Sequence, residues 1–152
     1  VLNLIMSDKL YITWDEFHQD VKNLVDKIRE KGEFNRIIAV CRGGLIPAGI
    51  LSYELDIRQC ESIKIQSYDH YQSRDDHSIH VDENHSLQNV DEKTLIIDDL
   101  SDSGRTFQIV EKMFPRACRA CVYAKPKGEK ATNIFSRSLP DRWVVFPWDV
   151  DR

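Results

Sequence analysis

At 152 residues, with a formal net charge of −4 and 41% hydrophobic residues, the chain can fill one respectable core but not two. The acidic balance argues against nucleic acid as a partner, and no apolar run approaches a bilayer span, so no integral membrane association is expected. The four cysteines, Cys41, Cys60, Cys118 and Cys121, are too sparse for a disulfide scaffold. With no signal peptide in Val1 to Ile5, they read as reduced thiols of a cytoplasmic protein. Residues 1–8 read as a leader or disordered N-terminus, with Met6 placed like a natural start, and residues 9–152 as one domain.

Thr13-Trp14-Asp15-Glu16 forms a capping box, with Thr13 at the N-cap and Glu16 three residues on. Phe17, Val21, Leu24, Val25 and Ile28 then recur at helical spacing, so a helix is expected to about Lys31-Gly32. Arg36 to Val40 reads as a short buried strand ending in Arg42-Gly43-Gly44. Pro47 to Leu55 suits a second helix that opens on proline, and Ile63 to Ser67 alternates enough to be a strand. Asp69 to Asn89 is polar, rich in His and Asp, and nearly without apolar periodicity; a loop of that length in a small domain is usually functional or mobile. A strand from Lys93 to Asp98, a helix from Thr106 to Phe114, a strand from Arg119 to Ala124 and a last short strand from Trp143 to Phe146 complete the series. Strands alternating with helices indicate a parallel α/β sheet with right-handed crossovers.

The stretch TLIIDDLSDSGRT, Thr94 to Thr106, carries the most chemistry. An apolar run, Leu95-Ile96-Ile97, stops at two adjacent carboxylates, Asp98 and Asp99. A small polar turn follows, Ser101-Asp102-Ser103-Gly104, and then a helix begins. Ligands of open α/β sheets sit at the carboxyl ends of strands, and free N–H groups at a helix start favour anions. The acids could hold sugar hydroxyls or a metal beside a bound phosphate. The bland alternative is a solvated strand end, but adjacent like charges at a buried position repel unless a cation or hydroxyl donors relieve them.

This stretch resembles the phosphoribosyl pyrophosphate (PRPP) signature of the type I phosphoribosyltransferases: an apolar strand, two acids, then a D-[ST]-G-x-T loop. Further segments follow in the order expected of the bacterial xanthine-guanine branch: Tyr11 to Trp14, Ile38 to Pro47, Ser67 to His70, Tyr123 to Pro126, and Trp143 through Trp148-Asp149. The likeness spans about Lys9 to Asp149. It implies a single-domain type I phosphoribosyltransferase fold, with a central mostly parallel sheet flanked by helices, a small C-terminal hood and a mobile lid loop. It also implies PRPP and a 6-oxopurine as substrates, Mg²⁺ as cofactor and a homodimer or homotetramer.

The implied roles fall on named residues. Asp98 and Asp99 would take the ribose hydroxyls, directly or through Mg²⁺. Asp102, Ser103, Gly104, Arg105 and Thr106 would wrap the 5′-phosphate, and Asp102 would also face N7 of the purine. Arg42 and Gly43 would form the pyrophosphate loop, where relatives often carry a strained or cis peptide. Lys125 would donate to the 6-oxo group, Trp143 would stack on the base, and the Val144 backbone with Asp149 would read the 2-position. Ser67 and Tyr68 would stand at the base of the lid. Asp102 and Lys125 are the catalytic candidates. The departures from the pattern are Ser103 where threonine is commoner, Arg105 where a smaller residue is usual, and a longer Asp69–Asn89 segment.

Taken singly, most of these residues have a dull reading. A Gly-Gly turn after a strand is more often only a turn, a lysine at a strand end is usually solvated, and a lone tryptophan usually fills core. The combination promotes them. His70, His77, His80 and His85 lack the regular spacing of a metal site. Cys118 and Cys121, inside one strand, should point to opposite faces. Two alternatives stay open on the same fold: a hypoxanthine-preferring enzyme, and a PRPP-sensing regulator without catalysis.

Overall fold

The computed structural model describes residues 8–67, 79–81 and 86–150. The chain order is β1 (Lys9–Tyr11), α1 (Trp14–Lys31), β2 (Arg36–Cys41), α2 (Leu45–Glu54), β3 (Gln59–Ser67), β4 (Ile79–Val81), β5 (Thr94–Ser101), α3 (Arg105–Met113), β6 (Cys118–Ala124), a 3-10 turn (Glu129–Ala131), β7 (Ile134–Ser138) and β8 (Trp143–Val145). Six strands make one sheet in the order β4-β3-β2-β5-β6-β7. Every pairing in it is parallel except that of β3 with β4.

Both faces of this sheet are covered, so its central strands are apolar on both sides. Alternation sorts them. Ile37, Ala39, Leu95 and Ile97 join the core beneath α1 and α2, with Phe17, Val21, Leu24, Ala48 and Leu51. Ile38, Val40 and Ile96 join the opposite core, with Phe107, Val110 and Phe114 of the α3 region. Cys118 packs against the first core and Cys121 lies inside the second, as strand geometry requires.

The first helix starts where its capping box lies. The Glu16 amide donates to Thr13 Oγ1 at 3.1 Å, and Glu16 Oε1 accepts from the Thr13 amide at 3.4 Å. Its buried face includes one carboxylate, Asp20, which accepts a 2.7 Å hydrogen bond from the hydroxyl of fully buried Tyr123. The Arg137 guanidinium lies 3.4 Å from the same carboxylate, so a charge that would be costly in isolation is paired and hydrogen-bonded.

Several boundaries differ from the sequence reading. The second helix begins at Leu45, two residues before Pro47, because the Gly44 amide turns back to Val40 O and the helical bonds start there. The fifth strand runs past the acid pair to Ser101, since β6 goes on pairing with it to Ala124. Gln59–Ser67 is four residues longer at its start than expected. Within the segment read as a featureless loop lies a short strand, Ile79–Val81. Lys9–Tyr11 and Ile134–Ser138 are additional strands.

The C-terminal hood is a second, two-stranded parallel sheet, with Lys9 opposite Trp143 and Tyr11 opposite Val145. The Ile12 amide extends it by donating to Val145 O at 2.9 Å. Of the expected lid, Tyr68 and residues 69–78 and 82–85, with His70, His77 and His85, lie outside the described residues.

Candidate active site

The sheet opens where its connections reverse. The chain leaves β2 through α2 to reach β3 on one side, and leaves β5 through α3 to reach β6 on the other. The register shows the gap. Pairing of β2 with β5 ends at Ala39 and Ile97, while β2 follows β3 to Cys41 and β5 follows β6 to Ser101. The crevice between the diverging strand ends is the ligand position of a doubly wound sheet.

Asp98 and Asp99 lie at this divergence, both half-buried. Burial holds the Asp98 carboxyl well above the ordinary carboxylate range, and the charge of Asp99 raises it further. Asp99 is also raised, chiefly by burial, against hydrogen bonds that lower it; the charge of Asp149 adds to the upward push. The Asp99 amide donates to Asp98 Oδ1 at 2.8 Å, which fixes the first carboxylate against the backbone of the second. A half-buried acid pair with raised affinity for protons suits hydroxyl donors or a divalent cation.

The loop after β2 closes the crevice from the other side. The Cys41–Arg42 peptide is cis. A side chain at Gly43 would fall well inside contact distance of the Asp99 carboxylate, so only glycine lets this loop approach the acids. Arg42 is exposed at the mouth.

Beyond the acids, Asp102 and Ser103 are exposed on the turn that leads to α3. Gly104 has φ +89°, a left-handed conformation that favours glycine, and its position faces Ala131 closely. Ser103 Oγ accepts a long 3.4 Å hydrogen bond from the Arg105 amide. The α3 N-terminus therefore presents amides beside a hydroxyl, with Arg105 and Thr106 half-buried next to them.

Lys125 is 5% exposed and still reaches Asp102, Nζ to Oδ2, at 3.2 Å. Its backbone amide donates to Ser101 O at 3.0 Å, tying the end of β6 to the end of β5. Ser101 Oγ donates in turn to Gly128 O at 2.8 Å, which folds the Lys125–Gly128 turn against the end of β5. The geometry thus joins the two residues assigned to neighbouring purine positions, N7 and the 6-oxo group. Neither spacing nor composition signalled that pairing or the roles of Ser101 and Gly128; the sole hint was the Lys-Pro-Lys-Gly turn at a strand end.

The hood supplies the remaining candidates. Trp143 is 56% exposed at the start of β8, whereas Val144 is buried. Asp149 is exposed, and its Oδ2 accepts from the Phe146 amide at 2.8 Å. Ser67 ends β3.

The Phosphoribosyl transferase domain family matches residues 13–152. The chain belongs to the phosphoribosyltransferases. A xanthine-guanine phosphoribosyltransferase of Nitratidesulfovibrio vulgaris is 41% identical over 142 residues, 91% of this chain and 83% of that protein. One of Desulfotalea psychrophila is 40% identical over 144 residues, 92% of this chain and 86% of that protein. Among solved structures, a purine phosphoribosyltransferase of Pyrococcus horikoshii superposes with a TM-score of 0.78 at 30% identity, covering 95% of this chain and 97% of that one. The Helicobacter pylori xanthine-guanine-hypoxanthine phosphoribosyltransferase shares the fold, with a TM-score of 0.76 at 19% identity over 92% and 91% of the two chains. No group of three or more metal-binding side chains occurs among the described residues, and no helix there is long and apolar enough to cross a membrane.

Proposed function

We propose that this purine-salvage phosphoribosyltransferase joins guanine or xanthine to the ribosyl carbon of PRPP, with hypoxanthine as a poorer substrate. The observation that carries this reading is the Asp102–Lys125 pair at the ends of β5 and β6, one strand-end away from the acid pair. A buried lysine ammonium is a donor only. Facing a 6-oxo group it is satisfied; facing a 6-amino group it meets another donor, so 6-aminopurines are rejected. Asp102, exposed beside it, is placed to accept the proton from N7 as N9 bonds to C1′ and the C1′–O bond to pyrophosphate breaks. Partnership with Lys125 keeps that carboxylate aimed at the base.

The other groups have complementary tasks. Asp98 and Asp99 orient the ribose hydroxyls at the crevice floor, and the 102–106 turn holds the 5′-phosphate. The Arg42–Gly43 loop neutralises the departing pyrophosphate. Trp143 offers a flat face for stacking, while the Val144 backbone and Asp149 read the 2-substituent. Mg²⁺ fits the donor set: Asp98 and Asp99 would hold it, directly or through water. There it would supply positive charge to offset that of the leaving pyrophosphate. Positioning and electrostatics of this kind are sufficient for a displacement at an anomeric carbon. We place the enzyme in the cytoplasm as a homodimer or homotetramer.

Pyrophosphate release with guanine, xanthine, hypoxanthine and adenine tests the reading. Turnover of guanine and xanthine with none of adenine is expected. Hypoxanthine turnover without xanthine turnover would replace it with the hypoxanthine-preferring enzyme. PRPP binding without release from any purine would leave a regulator.

A further inference from the structure

The face of the hood that carries Asp149 is held by a continuous aromatic stack. Phe146 lies face to face with Trp148, with centroids 4.6 Å apart and planes within 3°. Its other neighbour is Tyr123, at 5.9 Å and 36°. Trp148 meets Phe17 edge-on at 4.9 Å and Trp14 at 5.9 Å, both from the first turn of α1. Tyr123 is immobilised in turn: its hydroxyl donates to Asp20, and the Arg137 guanidinium lies over its ring at 5.4 Å.

This stack has a polar output. The Phe146 amide donates to Asp149 Oδ2 at 2.8 Å, and the Asp149 amide returns a bond to Phe146 O at 3.0 Å. One carboxylate oxygen of Asp149 is therefore committed to the turn, and the direction of the other is set by where Phe146 sits. Tyr123 also stands two residues before Lys125, which follows directly on the end of β6. A single ring thus relates the group assigned to the purine 6-position to the turn assigned to the 2-position.

We propose that Phe146 is the positioning residue for discrimination at the purine 2-position, with Tyr123 as its support. The proposal rests on the reading of Asp149 given above. The ring of Phe146, locked between Trp148 and Tyr123, fixes the direction in which the Asp149 carboxylate can meet a purine 2-substituent. Hypoxanthine has no 2-substituent and makes no use of this contact. A ring that merely filled core would affect all three bases alike.

Steady-state kinetics on Phe146→Leu, Tyr123→Phe and Asp149→Ala test this in the intact enzyme. Phe146→Leu should raise KM for guanine and xanthine about 5- to 10-fold, the scale of one weakened polar contact. Its KM for hypoxanthine and for PRPP should change by less than about 2-fold, and kcat with hypoxanthine should be kept. Tyr123→Phe, which keeps the ring and loses only the hydroxyl, should show the same selectivity in weaker form and guards against a Phe146 variant that fails to fold. If Asp149→Ala is selective for the 2-substituted bases but neither ring variant is, the positioning proposal fails and the 2-position reading stands. If Asp149→Ala affects all three bases equally, the reading beneath it fails as well.

Discussion

A carboxylate is costly to keep beside another carboxylate, and Asp98 and Asp99 are kept adjacent in a half-buried crevice. The native protein holds protons on this pair more tightly than the unfolded chain does, because both groups are raised above the ordinary value of 3.8. Between that value and the raised native one, the native state binds more protons, so the pair's contribution to stability falls as pH rises. Asp98→Asn removes one charge and keeps an oxygen for the Asp99 amide. It should raise the Tm of the ligand-free protein near pH 7.5 by about 2–4 °C, the effect of about 1 kcal/mol in a chain of this size. The same change should lower kcat/KM for PRPP by about 100-fold or more. A lower Tm for the variant in thermal melts would show that the pair is not under repulsion. Gly43 makes the complementary point. Gly43→Ala would force a methyl into the Asp99 carboxylate, and misplacement by about 1 Å is expected to cost about 100-fold in kcat/KM for PRPP. Unchanged PRPP kinetics would separate the loop from the reaction.

At the scale of elements, the strongly patterned pieces were legible and the short ones were not. The α1 helix has five apolar positions at helical spacing and a complete capping box, and both ends fell where the sequence put them. The strand carrying the acids was legible as a strand, but its end was not. The polar residues Asp98 to Ser101 continue it because β6 supplies a partner, which is a tertiary fact. Lys9–Tyr11 is three residues with no pattern of its own and exists because β8 pairs with it. Ile134–Ser138, at the sheet edge, is half polar, and Lys27 Nζ donates to its carbonyls at Phe135 and Ser136, 2.9 and 3.2 Å away. Of the candidate site, the individual residues were named from the motif, whereas the Lys125–Asp102 bond depends on how the ends of β5 and β6 meet. Strand geometry also makes a prediction for the thiols. Cys121 is buried in β6 and burial pushes its pKa up to about 12, while Cys60 is exposed at the start of β3. A disulfide reagent at pH 8 should therefore label Cys60 rapidly and Cys121 only on unfolding. Rapid labelling of Cys121, mapped by peptide mass, would show that β6 opens locally.

For the whole molecule, the crevice divides the sheet into two halves whose strands pair with each other along the lower part of β2 and β5, as far as Ala39 and Ile97. Above that point the β2 side carries the Arg42–Gly43 loop and the β5 side carries the acids, the phosphate turn and Lys125. A ligand that touches both sides supplies a bridge that the backbone lacks. Its binding energy then adds to the stability of the entire fold, by about 2.7 kcal/mol at a hundredfold excess over Kd. In a domain of this length that corresponds to a rise in Tm of about 5–10 °C. PRPP with Mg²⁺ spans the sugar, phosphate and pyrophosphate positions and should give the full rise. Guanine alone, which in the proposed arrangement reaches the hood and the Lys125 edge but not the β2 side, should give a much smaller one. Bridging demands more than binding: Gly43→Ala, whose methyl meets the Asp99 carboxylate, should reduce the PRPP-induced rise when that rise is taken against the variant's own ligand-free melting temperature. An undiminished rise in that variant would mean that PRPP is held by the β5 side alone, and that the loop after β2 stands beside the substrate without grasping it.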